Sequence, residues 1–180
     1  MKGAWVPAVR SKGLTLIELI VVLTIIAILA TIAVPSFVET IKTNRVISQN
    51  NELVALLSFA KSEAIRRSDN VTVFLNGNIG SWSGAVRDPN DNETVAGCDP
   101  GVIRCSENSG VALAPVGQTL VTFNNRGYTM ETLVGFGQRT VLTLTHDNCN
   151  RLGQQRRIEI LATGQITSCA QDCGGVAACP

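Results

Sequence analysis

Hydrophobic positions are distributed along this chain in three successive patterns. From Leu14 to Val34 almost every residue is Leu, Ile, Val or Ala, and at 1.5 Å per residue such a run predicts a helix of roughly 31 Å, long enough to cross a hydrocarbon core. After Pro35 the pattern turns amphipathic. Val46, Leu53, Leu57, Ala60 and Ala64 recur at helical spacing, with Glu52, Lys61, Ser62 and Arg66 on other faces, so this part predicts a helix laying one stripe on a globular domain and ending between Arg67 and Asn70. Its basic last turn, Arg66-Arg67, suits a helix C-terminus without any ligand. Beyond Asn70 the period is two. Val71, Val73 and Leu75, Leu142 and Leu144, and Ile158 and Ile160 alternate with polar or outward positions, which predicts half-buried strands. Trp82 to Arg87, Val111 to Ala114, Leu120 to Asn124 and Gln165 to Ser168 are further strand candidates. Asp88 to Gly110, rich in Gly, Asn, Asp and Pro and carrying Cys98 and Cys105, reads as a surface loop closed on itself. The fold class expected is α+β, a long helix packed on an antiparallel sheet.

One carboxylate, Glu18, interrupts the apolar run. An acid there costs about 2.5 to 3.5 kcal/mol by insertion scales, so it calls for a partner. A secretory signal would explain the basic residues Lys2, Arg10 and Lys12 ahead of the run, and Thr31-Ile32-Ala33 offers a weak cleavage site. The run is nevertheless too long, since such cores have about 7 to 15 residues. A plain single-span anchor fits the length and leaves Glu18 unexplained.

Lys12-Gly13 followed by Leu14-Thr15-Leu16-Ile17-Glu18 resembles the leader signal of type IV prepilins and pseudopilins, with Leu at the first mature position where Phe is commoner. The resemblance implies that a prepilin peptidase cuts after Gly13 and methylates the amine of Leu14, and that Pro35 is the family's helix-bending proline. It also supplies the partner for Glu18. Cleavage creates a positive amine at Leu14, four residues away, which can meet the carboxylate within one helix or between staggered neighbours in a filament. The intersubunit pairing would fix axial register, because a slipped subunit leaves unpaired charges in apolar surroundings. The implied organisation is a leader over 1–13, a membrane and filament-core half of the helix over 14–43, and an exported head over 44–180. The head holds the amphipathic helix to about residue 67 and then the β-domain.

Later segments add a second likeness. Phe123-Asn124-Asn125-Arg126-Gly127, the strand at Thr140 to Thr145, Arg156-Arg157-Ile158-Glu159-Ile160 and Ala162-Thr163-Gly164 resemble the closing β segments of the GspH/FimT family of pseudopilins and minor pilins. That resemblance implies a structural subunit that assembles with other pilins to prime or cap a type IV pilus, or else a minor pseudopilin of a type II secretion system. The subunit would sit first in the bacterial inner membrane with its head in the periplasm, and then in the filament. No cofactor is expected.

Charge changes this picture little. The chain has 15 basic and 14 acidic residues, and removing a leader with three bases and no acids leaves a slightly acidic subunit, which does not advertise a polyanion ligand. FimT-type pilins implicated in DNA uptake carry a Gly-Arg-x-Arg element in the last strand. Here the matching positions read Gly164-Gln165-Ile166-Thr167, so DNA capture would rest on Arg139, Arg151, Arg156 and Arg157, tempered by Asp147 and Glu159, and it is the less favoured reading. Enzyme chemistry is weaker still. The single His146 sits in a Thr-His-Asp-Asn turn with no nucleophile elbow or phosphate loop around it.

Six cysteines, Cys98, Cys105, Cys149, Cys169, Cys173 and Cys179, lie on the exported side by positive-inside logic, where disulfides persist. Their spacings, even with His146, match no zinc site. Of 15 connectivities, short loops favour Cys98 with Cys105 and Cys173 with Cys179. The remaining pair is then Cys149 with Cys169, closing a loop of about 20 residues worth roughly 3 kcal/mol.

Overall fold

The structure is a computed structural model that describes residues 15–88, 98, 101–130, 139–146, 149 and 153–173. Among the described residues its elements are one helix, α1 (Leu16–Arg67), and nine strands. These are β1 (Val71–Asn78), β2 (Ser81–Arg87), β3 (Val102–Ser109), β4 (Ala112–Ala114), β5 (Gly117–Phe123), β6 (Thr129–Met130), β7 (Arg139–Thr145), β8 (Gln155–Leu161) and β9 (Ile166–Gln171). The strands divide between two antiparallel sheets, one in the order β3-β2-β1-β5-β6 and the other β4-β7-β8-β9. Two compact units result, one ending at Glu39 and the other beginning at Thr40.

The second unit is built on the stripe read from the sequence. Val46, Leu53, Leu57, Ala60 and Ala64 are fully buried and share a core with Val71, Val73 and Leu75 of β1, Leu142 and Leu144 of β7, and Ile158 and Ile160 of β8. Period-two alternation places these strand residues on one face. Helix and sheet approach closely at Gly84, where a Cβ would stand 2.7 Å from Leu56 Cδ2. Three polar residues also fall on the buried stripe, Gln49, Asn50 and Glu63, and buried polar groups require partners. Gln49 accepts from the Trp82 indole at 3.0 Å and donates to the Ser109 carbonyl at 3.0 Å. Asn50 accepts from the Ser168 hydroxyl at 2.8 Å. The helix is thereby keyed to both sheets.

Two sequence expectations are corrected. Val102–Ser109, read as part of a loop, is the strand β3, paired along β2 from Ser81↔Ser109 to Arg87↔Val102. Ile103 packs against the core, but the rest of the strand lacks apolar alternation because Ser106 and Asn108 meet a carboxylate of the helix. Ser106 donates to Glu52, and Asn108 donates to the other Glu52 oxygen at 3.1 Å.

The second correction concerns the disulfides. Cys98–Cys105 is present, but Cys149 is joined to Cys173, so neither Cys149–Cys169 nor Cys173–Cys179 forms. Register explains the choice. Thr145, Gln155 and Gln171 lie abreast at one end of their sheet, which brings Cys149, past β7, beside Cys173, just past β9. Cys169 lies back along β9, opposite Arg157. It too is disulfide-bonded, and Cys179, the remaining cysteine of the sequence, is outside the described residues.

The two sheets are stitched at one corner. Thr129 donates its amide to the Ala162 carbonyl at 3.1 Å and its hydroxyl to the Leu161 carbonyl at 3.1 Å. There the β8–β9 turn presses on the β5–β6 turn so closely that a Cβ on Gly164 would lie 1.8 Å from the Gly127 carbonyl oxygen. Lys61 of α1 donates to the Gly164 carbonyl at 2.8 Å.

Candidate functional site

Among the described residues, the first unit is a helix with its surface exposed. From Leu16 to Val38 its apolar side chains are exposed, Leu16 at 75% and Ile32 at 73%, and this stretch of α1 is long and apolar enough to cross a membrane. Its hydroxyls are satisfied internally, as apolar surroundings demand. Thr24 donates to the Val21 carbonyl at 3.2 Å and Thr31 to the Ile28 carbonyl at 2.7 Å. Glu18 is exposed in the first turn of α1, and its amide donates to Thr15 Oγ1 at 3.3 Å. An acid in that turn is also favoured by the unpaired N–H groups there. Helix α1 runs through Pro35. Gly13 and Leu14 lie outside the described residues.

Among the described residues, the arginines weighed for nucleic acid form no unopposed patch. Arg157 Nε meets Glu159 at 2.7 Å and is only 14% exposed, and Arg139 approaches the other oxygen of that buried carboxylate at 3.6 Å. Arg156, on the opposite face of β8 by alternation, shares the side of Ile158 and Ile160. Arg151 lies outside the described residues. In the element matching the DNA-binding relatives, Thr167 donates weakly to the Glu159 carbonyl at 3.4 Å. Arg139 and Arg157 are thus held by one buried acid.

A charge cluster that the sequence reading missed closes the end of α1. Glu63, on the buried stripe, accepts from Arg66 at 2.9 Å and from Arg67 at 2.6 Å, and Arg67 also pairs with Asp88 just past β2. The signal was an acid three and four residues before two arginines at a stripe position. Hydrogen bonds from Arg66 and then Arg67 hold the Glu63 carboxyl down at about 2, below its ordinary 4.5. A depressed folded-state pKa stabilises fully above the unfolded value, and that stability is lost as pH falls through the folded one. Unfolding midpoints of Glu63→Gln should therefore depend less on pH than those of the parent between pH about 4.5 and about 2. Parallel curves in acid denaturation would contradict this.

An exposed membrane-length helix continuing into a head of two antiparallel sheets defines a pilin-like subunit, and comparison with known proteins agrees. Residues 49–164 match the family model described as Type II transport protein GspH, and residues 9–34 match the prokaryotic N-terminal methylation motif. The chain belongs to the GspH family of type IV pilins and pseudopilins. It is 36% identical over 97 residues to the type IV narrow pilus major component PilA5 of Thermus thermophilus, covering 50% of this chain and 80% of that protein. Among solved structures it is similar to the Pseudomonas aeruginosa type IV minor pilin FimU in two crystal forms. The identities are 16% and 14%, the TM-scores 0.47 and 0.48, and the shares covered 67% and 69% of this chain against 90% and 87% of FimU.

Proposed function

We propose that this chain is a structural subunit, a minor pilin that assembles with other pilins to prime or cap a type IV pilus. The observation that carries the reading is the methylation motif leading into an unpacked apolar helix whose one ionisable group before Glu39 is Glu18. A helix so exposed gains stability only where lipid or like helices cover it. Processing after Gly13 by a prepilin peptidase, methylation of Leu14, and pairing of that amine with Glu18 belong to the same proposal. Family membership supports a structural rather than a catalytic role.

Quantitative mass spectrometry of sheared filaments from the native host tests it. The expected result is an N-terminal peptide beginning at methylated Leu14, present at least tenfold below the major subunit. An intact leader would remove the pilin reading, and stoichiometric abundance would make the chain a major subunit. A type II secretion pseudopilin is the second reading, favoured by the family description itself, and recovery only with a secretion apparatus would select it.

DNA capture is disfavoured by the pairing of Arg139 and Arg157 with Glu159. A titration with duplex DNA at near-physiological salt should show weak or no binding, because a phosphate site needs several unopposed cations. Micromolar binding lost on changing Arg151, Arg156 and Arg157 to Ala would overturn this.

A further inference from the structure

Arg156 is set differently from the arginines around it. On the side of β8 that faces α1, it stands in register between Leu144 of β7 and Ala170 of β9. Two contacts of the helix with this part of the head bracket it. Asn50 meets Ser168 at 2.8 Å, and a Cβ on Gly153, before β8, would meet Thr43 Cγ2 at 3.3 Å. Strand β9 is the edge of its sheet. Ser168 and Ala170 share the helix-facing side of that strand with Ile166 by alternation, and both are exposed, so α1 leaves this margin of the sheet open. Arg156, half-buried, stands next to the open margin.

The head does not satisfy its guanidinium. Nε of Arg156 is enclosed and has no hydrogen-bond acceptor, whereas Arg139 and Arg157 share Glu159, and Arg66 and Arg67 share Glu63. A buried N–H without an acceptor is costly, and more so when its group is charged. An acceptor brought in on assembly removes that cost. The donor's form selects the acceptor, because Nε–H and the adjacent Nη–H make a side-on fork that fits the two oxygens of one carboxylate. A nucleic-acid backbone calls instead for several cations together, and the nearby Arg139 and Arg157 are held by Glu159 on the other face of the sheet. Subunits that have lost the basic leader carry more acids than bases, so carboxylates are the charges that neighbours offer in excess.

We propose that Arg156 receives a carboxylate of a neighbouring pilin subunit when the filament assembles, at the open margin between β9 and α1. The inference rests on the filament-subunit reading above. In the free subunit the guanidinium is a cost, and in the filament it is one half of an intersubunit ion pair.

Arg156→Gln and Arg156→Lys in the full chain test it. The unfolding midpoint of the unassembled Gln variant in detergent should equal or exceed that of the parent, because no internal bond is lost. In sheared filaments the same variant should be depleted about fivefold or more, and the Lys variant, which keeps the charge without the fork, less strongly. Incorporation of both at the parent level overturns the proposal. A lowered midpoint of the unassembled Gln variant, with depletion in proportion, also overturns it, in favour of a role within the head. A second measurement reads the atom itself, the Nε–H resonance of Arg156 in the nitrogen-15-labelled full chain in detergent, assigned by its loss in Arg156→Lys. Sodium acetate replacing chloride at fixed ionic strength should move it further than the resonance of the exposed Arg126. Equal movement of the two overturns the proposal, and so does movement with duplex DNA but none with acetate. Absence of the parent chain itself from filaments would remove the filament-subunit reading, and the inference with it.

Discussion

Replacing Gly164 by Ala is expected to destabilise the head by about 3 kcal/mol or more, a cost in the range of severe core and backbone defects. Two effects add. The residue has φ +72°, a left-handed conformation that costs an L-residue with a Cβ roughly 1 to 2 kcal/mol. The new Cβ would also stand 1.8 Å from the Gly127 carbonyl oxygen, and backbone cannot yield as a flexible side chain does. Relief requires the β8–β9 and β5–β6 turns to part, which strains the Thr129–Ala162 and Thr129–Leu161 bonds and the Lys61 contact. Gly117→Ala is the natural comparison. That glycine has φ +102° but nothing within 4 Å of its Cβ position, so it should show the conformational cost alone. Thermal unfolding of the full chain in detergent should place Gly164→Ala well below Gly117→Ala, by about 5 °C or more at a few degrees per kcal/mol. Equal midpoints would show that the two turns move apart freely.

The same corner shows what the sequence made legible and what it did not. The resemblance to the DNA-binding relatives drew attention to Gly164-Gln165-Ile166-Thr167, but the role of Gly164 there is close backbone contact across the two sheets, which depends on strands distant in sequence. The buried stripe of α1 and the alternating strands were readable because burial repeats at 3.6 and 2 residues. Strand β3 was not, because Ser106 and Asn108 meet Glu52 of the helix, and a strand that satisfies a carboxylate carries serine and asparagine where alternation would carry valine. The disulfide order likewise followed three-strand register. Short loops favoured Cys173 with Cys179, which left Cys149 to Cys169, and only the alignment of Thr145, Gln155 and Gln171 puts Cys173 beside Cys149. The polar stripe positions Gln49 and Glu63 were visible as exceptions to an apolar pattern, although their partners Trp82, Ser109 and Asp88 were not. Glu18 is conspicuous in the sequence as an acid inside a long apolar run, and in the structure it is an exposed residue of the first turn of α1.

That acid leads to the second large effect, loss of filament incorporation by Glu18→Ala with the head intact. Glu18 lies in the unit of α1 before Glu39, apart from the head core, so unfolding of the head should be unchanged. Export and membrane insertion should also persist, because removing a charge from the apolar run eases insertion. Assembly is different. If the carboxylate pairs with the methylated amine of a neighbouring Leu14, the variant leaves that amine without its counter-charge in apolar surroundings, and a penalty of about 2.5 kcal/mol corresponds to nearly two orders of magnitude in association. Glu18→Gln separates charge from volume, since it keeps the side chain's size and hydrogen-bonding capacity but not the attraction. Both variants should therefore be recovered in the membrane fraction and depleted at least tenfold from sheared filaments. Depletion of the Ala variant alone would assign the effect to packing. Normal incorporation of both would show that register along the filament is set elsewhere, by the apolar contacts of Leu16 to Val38.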